Sequence, residues 1–274
     1  MIFLPERKLV RPSHFKQRGF ITWVTNPFAH GMGGGVYPVD AADFDGTNDY
    51  MSRGAGLTGA ADSKLGIFSA WVRLDGGDAA ALSIINDVPA DNKVNILRST
   101  GNKLGITARN AAGTTILTIL SVASHVAGAS WIHLLMSWDM AGGAGGRHLY
   151  VNDVSDINVV TFTNDTIDYT LTDWGVGASS TGASKFNGAL ADVYFAPGQY
   201  LDFSVEANRR KFRSVAGKPV PLGDDGSTPT GTAPRMYHHL DDGEAVANFA
   251  TNRGTGGNFA ITGTLDTAST SPSD

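Results

Sequence analysis

Along residues 131–139 the side chains sort into two sets by alternation: Ile132, Leu134, Met136 and Trp138 in one, Trp131, His133, Leu135 and Ser137 in the other. Strand side chains repeat every two residues, so this stretch is predicted to be a β-strand with two unlike faces. His148-Leu149-Tyr150-Val151 returns as a second arm. It closes at Asn152-Asp153, a pair that tolerates the positive φ angles of a tight hairpin turn. The connection Met140-Ala141-Gly142-Gly143-Ala144-Gly145-Gly146 is too rich in glycine to hold a helix and has no core residue of its own. A second strand is predicted over Gly66–Leu74. Phe68, Ala70, Val72 and Leu74 share one face, and Trp71 lies opposite them beside Ser69 and Arg73. Further strands are predicted at 82–87, 93–98, 103–109, 114–121, 157–163 and 169–177, punctuated by Gly, Asn and Asp at intervals that suit a sandwich.

The pattern changes at three places. Residues 1–35 carry Pro5, Pro12 and Pro27 and end in Gly31-Met32-Gly33-Gly34-Gly35, which reads as an extended arm on a flexible joint. Its Phe15, Phe20, Ile21, Trp23, Val24 and Phe28 are costly to leave in water, so the arm is expected to lie on this protein's body or on a neighbouring subunit. After Phe195 a helix is predicted, with Ser204 as N-cap, Glu206 in its first turn and Arg209, Arg210, Lys211 and Arg213 toward its C-terminal end. Val205 and Phe212 would share its buried face, and Gly217-Lys218-Pro219 would end it. Residues 266–274, rich in Ser and Thr, read as a frayed end. The organisation is therefore an attachment arm (1–35), a body (36–265) and a flexible tail (266–274).

Composition narrows this further. A chain of 274 residues can bury one sizeable core. Its 34 glycines and 17% charged residues fit short strands and many turns rather than helices. Without cysteine there is no disulfide, zinc–thiolate site or thiol nucleophile. The start lacks the apolar core of a signal peptide and no apolar run is long enough to span a bilayer, so a protein outside the general export route, with no membrane insertion, is expected. The charge is uneven. Ahead of Asp40 the only acid, Glu6, faces Arg7, Lys8, Arg11, Lys16 and Arg18, a net +4 that leaves −9 on the remainder of a chain at −5. A basic arm on an acidic body suits docking on a partner surface.

Several segments resemble one family. Phe44-Asp45-Gly46-Thr47-Asn48-Asp49-Tyr50-Met51 resembles the turn and strand that open many laminin-G-like repeats. Phe68-Ser69-Ala70-Trp71-Val72-Arg73 and Phe186-Asn187-Gly188-Ala189-Leu190-Ala191-Asp192-Val193 are similar to later strands of the same family. The Ser137-Trp138-Asp139 strand end with its Leu149–Asp153 hairpin resembles the concanavalin A-like jelly rolls. Met236–Glu244, Asn252-Arg253-Gly254 and Phe259–Leu265 look like the family's usual first strands, here placed last, for which circular permutation is one explanation. The resemblance implies an all-β fold: a concanavalin A-like, two-sheet antiparallel jelly-roll sandwich with one short helix and an extended N-terminal arm.

Catalysis finds little support in the residues. Glucanases of this fold need two carboxylates close together, arranged as Glu-x-Asp-x-x-Glu. Here the glutamates are Glu6, Glu206 and Glu244, and none lies in such a motif. Asp43 with Asp45, and Asp242 with Glu244, have the i, i+2 spacing but abut glycines in turns, which argues against a shared strand face. There is no Gly-x-Ser-x-Gly elbow. His125, His133, His148, His238 and His239 lack metal-ligand spacing. His238 and His239 point to opposite strand faces, and His133 reads as a packed, hydrogen-bonded side chain. No enzyme activity, catalytic residue or cofactor is expected. The resemblance makes calcium the one cofactor candidate, through Asp45, Asn48, Asp49, Asp192 and Asp241, although such residues also cap turns. Of Trp71, Trp131, Trp138 and Trp174, alternation puts Trp138 in the core and makes Trp71, with Arg73, the candidate glycan contact.

The Phe44–Met51 opening, the Leu201–Phe212 segment and the Gly217–Gly231 run look like laminin-G-like proteins of tailed bacteriophages and prophages. That resemblance implies a virion structural protein on the particle surface, assembled in the host bacterial cytoplasm. The expectation is a tail-associated, receptor-binding jelly roll, anchored through Arg7, Lys8, Arg11, Phe15, Lys16, Arg18, Phe20 and Trp23. Its partners would be other virion proteins, further copies of itself (a trimer among the options) and host surface glycans, with no nucleic acid. A capsid decoration or head-fibre protein and a free bacterial carbohydrate-binding lectin are the alternatives.

Overall fold

The computed structural model describes residues 37–87 and 92–274. In chain order the strands are β1 (Val39–Asp40), β2 (Ala42–Asp45), β3 (Tyr50–Arg53), β4 (Leu65–Leu74), β5 (Leu82–Asp87), β6 (Val94–Arg98), β7 (Leu104–Arg109) and β8 (Thr115–Ser121). They continue as β9 (Gly128–Asp139), β10 (Arg147–Val151), β11 (Val154–Ser155), β12 (Ile157–Phe162), β13 (Trp174–Val176) and β14 (Asn187–Pro197). After the helix α1 (Glu206–Arg209) come β15 (Met236–His238), β16 (Leu240–Asp241), β17 (Ala260–Thr262) and β18 (Asp266–Thr267). One sheet runs β11-β10-β9-β4-β14-β2-β18, with β15 also on β14. The other runs β12-β8-β7-β6-β5-β13-β3-β17. These strands pair antiparallel, and the fold is an all-β jelly-roll sandwich.

Alternation builds the core. Phe68, Ala70, Val72 and Leu74 of β4 and Leu134, Met136 and Trp138 of β9 meet Ile84, Ile85, Ile96, Ile106 and Ile119 of the facing sheet. The Asn152-Asp153 turn has φ of 51° and 70°, as its composition predicts. A second apolar layer lies on the outer face of the first sheet. There Ile67, Leu135, Tyr194 and Tyr237 are covered by Phe203, Phe212 and Leu222 from the long connection after β14. Between Ala191 and Tyr194 the register of β14 shifts, with Asp192 at φ 49°. Ala189 and Ala191 pack outward before the bulge, whereas Val193 and Phe195 pack inward after it. One extra residue thus reverses the strand's faces.

The structure departs from the sequence reading in several details. Met140 is fully buried in the core, and Gly143–Gly146 makes one 3-10 turn. The helix spans only Glu206–Arg209 with Val205, not Ser204, at its N-cap. Ser204 instead donates both its N–H and its hydroxyl to Asp202. Val205 is 47% exposed, and Phe212 packs on Phe203 and Tyr194. Strand β13 starts only at Trp174, with Tyr169 and Leu171 buried ahead of it in irregular chain. Asp43 and Asp45 do share a strand face, since both lie on β2 with Ala42 and Phe44 pointing into the core. Residues 266–274, expected to be loose, are held to the body. β18 pairs with β2, Ala268 N–H donates to Ala41 O, and the Ser273 hydroxyl donates to Val39 O. These backbone bonds outweigh a composition that favours fraying. Strand β17 pairs with β3, so the last strands sit beside the opening ones.

Candidate functional site

On β4 and β9 the alternation that buries one face offers the other outward. Register sets Trp71 directly across from His133, with ring centroids 4.7 Å apart. Trp131 lies two residues earlier on the same face of β9. Three other segments rise around these rings: the hairpin turn at Asn152, the loop 213–218 and the C-terminal stretch 269–274. Together they enclose an open groove of about 480 Å³.

Each wall has its own support. Asn152 is tied to β9 twice, accepting from His133 N–H at 2.9 Å and donating its N–H to His133 O at 2.9 Å. The loop is a tight turn. Ser214 Oγ accepts from Lys218 N–H at 3.0 Å, and Gly217 adopts φ 79°. It places Arg213 over the Trp71 ring, 6.0 Å from its centre. The Lys218 ammonium donates to the main-chain oxygen of Asp274. On the opposite wall Thr270 Oγ1 accepts from Trp131 Nε1 at 3.2 Å and from Arg73 at 2.9 Å.

The electrostatics are lopsided. Asp153 accepts from Arg209 and Arg210, both at 2.6 Å, so two guanidiniums use one carboxylate. Arg213 has no ion pair among the described residues, and its Nε is buried without a hydrogen-bond partner. Burial lowers the Arg213 pKa, as does the neighbouring Arg210 charge, against the opposing pull of Asp153. His133 is pushed down to about 3, first by complete burial and then by the Arg213 charge. It is therefore a neutral ring bonded to Ser69 Oγ at 2.9 Å, the packed role its strand position predicts.

Trp71 and Arg73 both belong to this region, as supports rather than as exposed contacts. Trp71 is only 2% exposed, because His133 and Arg213 cover its ring. Arg73 is held bidentately by Asp75 at 2.8 and 2.7 Å, and its guanidinium lies 5.7 Å from the Trp131 ring centre. The half-buried indole is that of Trp131. Alternation already places Trp131 on the outward face. Arg213, Lys218 and the 269–274 wall reach the groove through long-range packing that no local pattern carries. Trp138 and Trp174 are fully buried. The arm residues Arg7, Lys8, Arg11, Phe15, Lys16, Arg18, Phe20 and Trp23 lie outside the described residues.

The five calcium candidates fall in two separate places. Asp45 accepts the N–H groups of Thr47, Asn48 and Asp49, and Asp49 accepts the N–H of Thr264. Asp192 and Asp241 instead flank His239, at 2.5 Å from Nδ1 and 3.1 Å from Nε2. No group of three or more His, Cys, Asp or Glu among the described residues could hold a metal ion. Asp43 and Asp45 are each occupied. Burial and Asp75 hold the Asp43 carboxyl above its usual range although Arg73 lies 3.6 Å away. At Asp45 burial works upward but three backbone N–H bonds hold it below that range.

Residues 45–198 match a laminin-G model described as the concanavalin A-like lectin/glucanases superfamily. No curated protein matches the chain. Among solved structures, a candidate carbohydrate binding protein from Bacteroides ovatus superposes with a TM-score of 0.51 at 13% identity, covering 85% of this chain and 60% of that one. This chain thus spans less than two thirds of that protein's length. A heptameric SAP-like pentraxin from Limulus polyphemus gives a TM-score of 0.44 at 13% identity over 61% of this chain and 79% of that one. At such identities the likeness concerns the fold alone.

Proposed function

Because the chain belongs to the concanavalin A-like lectin/glucanases superfamily, we propose that it works by holding a glycan, without cleaving it, in the groove floored by Trp71 and Trp131. The observation that carries this reading is the makeup of the walls. A half-buried indole stands among the hydroxyls of Ser130, Thr270 and Ser271, the Asn152 amide and the cations of Arg213 and Lys218. An aromatic face suits the C–H face of a sugar ring, and convergent polar groups orient its hydroxyls. The groove holds a single acidic side chain, Asp274, so a paired acid and nucleophile have no place in it. No cofactor is part of this reading.

The setting we propose is the surface of a bacteriophage virion, tail-associated and receptor-binding. Residues 1–35 would attach it to other virion proteins, and several copies would present the groove together. The family segments quoted above and the basic, aromatic-rich N-terminal sequence support this setting. The test is a glycan array probed with the full chain and with Trp131→Ala, alongside mass spectrometry of purified particles. Glycan binding lost in Trp131→Ala, and the chain found in particles, is the expected pair of results. Full binding by Trp131→Ala would overturn the groove. A chain found only free would favour a soluble lectin, and one mapped to heads a capsid decoration.

A further inference from the structure

We propose that the groove selects acidic sugars, with the Arg213 guanidinium as the group that reads their carboxylate. The inference rests on the groove being a glycan site and adds its ligand class. Four basic residues, Arg209, Arg210, Arg213 and Lys218, gather at this end of the outer face. The one carboxylate that pairs with them from the hairpin turn, Asp153, is taken at 2.6 Å by both Arg209 and Arg210. Glu206 adds a second bond to Arg210 at 2.7 Å. Arg213 receives neither, and its buried Nε is unpartnered.

A buried guanidinium donor without a partner is costly in a folded protein. Two neighbours pack against Arg213 in the fold. It stacks on the Trp71 ring, and Gly217 closes behind it so tightly that a Cβ there would meet one of its terminal nitrogens at 2.6 Å. The guanidinium thus lies beside a groove whose other cation, Lys218, donates to the main-chain oxygen of Asp274. Guanidinium and carboxylate match bidentately, at about twice the strength of a neutral hydrogen bond. Uronic and sialic acids both carry a carboxylate on a pyranose ring. The ring would lie against Trp131 and the carboxylate would reach Arg213.

The experiment titrates the full chain with uronic-acid and sialylated oligosaccharides, each as the free acid and as its methyl ester. The ester removes the carboxyl charge and adds one methyl group. We expect at least one acid to bind tenfold or more tightly than its ester, and Arg213→Gln to erase that preference. Arg213→Lys should recover only part of it. Unchanged circular dichroism and urea midpoint would show that Arg213→Gln still folds. Equal affinity for acid and ester, or an acid preference that survives Arg213→Gln, would overturn this inference while the groove stands. Binding that is unaffected by Trp131→Ala would remove the groove itself.

Discussion

A methyl group added at Gly66 would sit 2.2 Å from Cζ2 of the Trp138 indole, closer than any real contact allows. That indole cannot simply move. Its Nε1 donates to Tyr169 Oη at 2.8 Å, and Tyr169 in turn donates to Leu65 O at 3.1 Å. Gly66→Ala therefore both overpacks the core and breaks a buried chain of hydrogen bonds. Overpacking costs about 1–3 kcal/mol and a stranded buried polar group about as much again. We expect a loss of roughly 3 kcal/mol, read as a fall in the urea midpoint at unchanged slope. An indistinguishable midpoint would mean that Trp138 is not held where it is placed. Alternation alone predicts that Trp138 faces inward. It does not predict that Gly66 lies opposite, because that pairing is a matter of register between two strands some seventy residues apart.

The elements differ in how well local sequence speaks for them. The Asn152-Asp153 turn was legible because few residue pairs tolerate φ above zero twice in a row. The bulge at Asp192 was not. Its extra residue is visible only when Ala191 is found outward and Val193 inward on the same strand. The sequence suggests a longer helix than Glu206–Arg209 because Glu206 and the following arginines suit a helix dipole, yet those charges serve tertiary contacts. Arg209 and Arg210 reach back to Asp153 on the hairpin turn, and Phe212 is anchored by Phe203 and Tyr194. The same long-range logic hid half of the groove: Trp131 and His133 share a strand face that alternation predicts, whereas Arg213 and Lys218 arrive from a loop some eighty residues later. The contact between helix and hairpin is testable at Asp153. Asp153→Asn keeps a residue that accepts φ of 70° but removes the charge from both bonds. Charge-assisted hydrogen bonds contribute about 1.5–3 kcal/mol when well formed, and exposure reduces this, so a loss of about 1–2 kcal/mol is expected. Asp153→Ala should cost more, since it adds strain at positive φ. Equal midpoints for all three proteins would separate the turn from the helix energetically.

At the scale of the whole molecule, three of the four buried histidines among the described residues carry most of how stability responds to pH, and His148, lowered by burial as well, adds to the acid side. His133 and His238 are held neutral, at about 3 and about 4, chiefly because burial disfavours their charged form. An unfolded histidine titrates near 6.5. As pH falls below that value the unfolded chain takes up protons that these two folded rings refuse. Stability is then lost at up to about 1.4 kcal/mol per pH unit for each, until their folded values are reached. His239 behaves oppositely. Burial works against its charge, but Asp192 at 2.5 Å and Asp241 at 3.1 Å more than offset this and raise its pKa. Its contribution is fully present below about pH 6.5 and fades as pH rises through the raised value. Together they predict a steep acid limb, a maximum above pH 6.5 and a shallower alkaline limb. Urea midpoints at pH 5, 6.5 and 8, at constant ionic strength, measure it directly. His239→Gln should flatten the alkaline limb and leave the acid limb in place, because His133 and His238 remain. An alkaline limb that is the same in His239→Gln as in the native protein would mean that the Asp192–His239 pair holds no extra proton in the folded state.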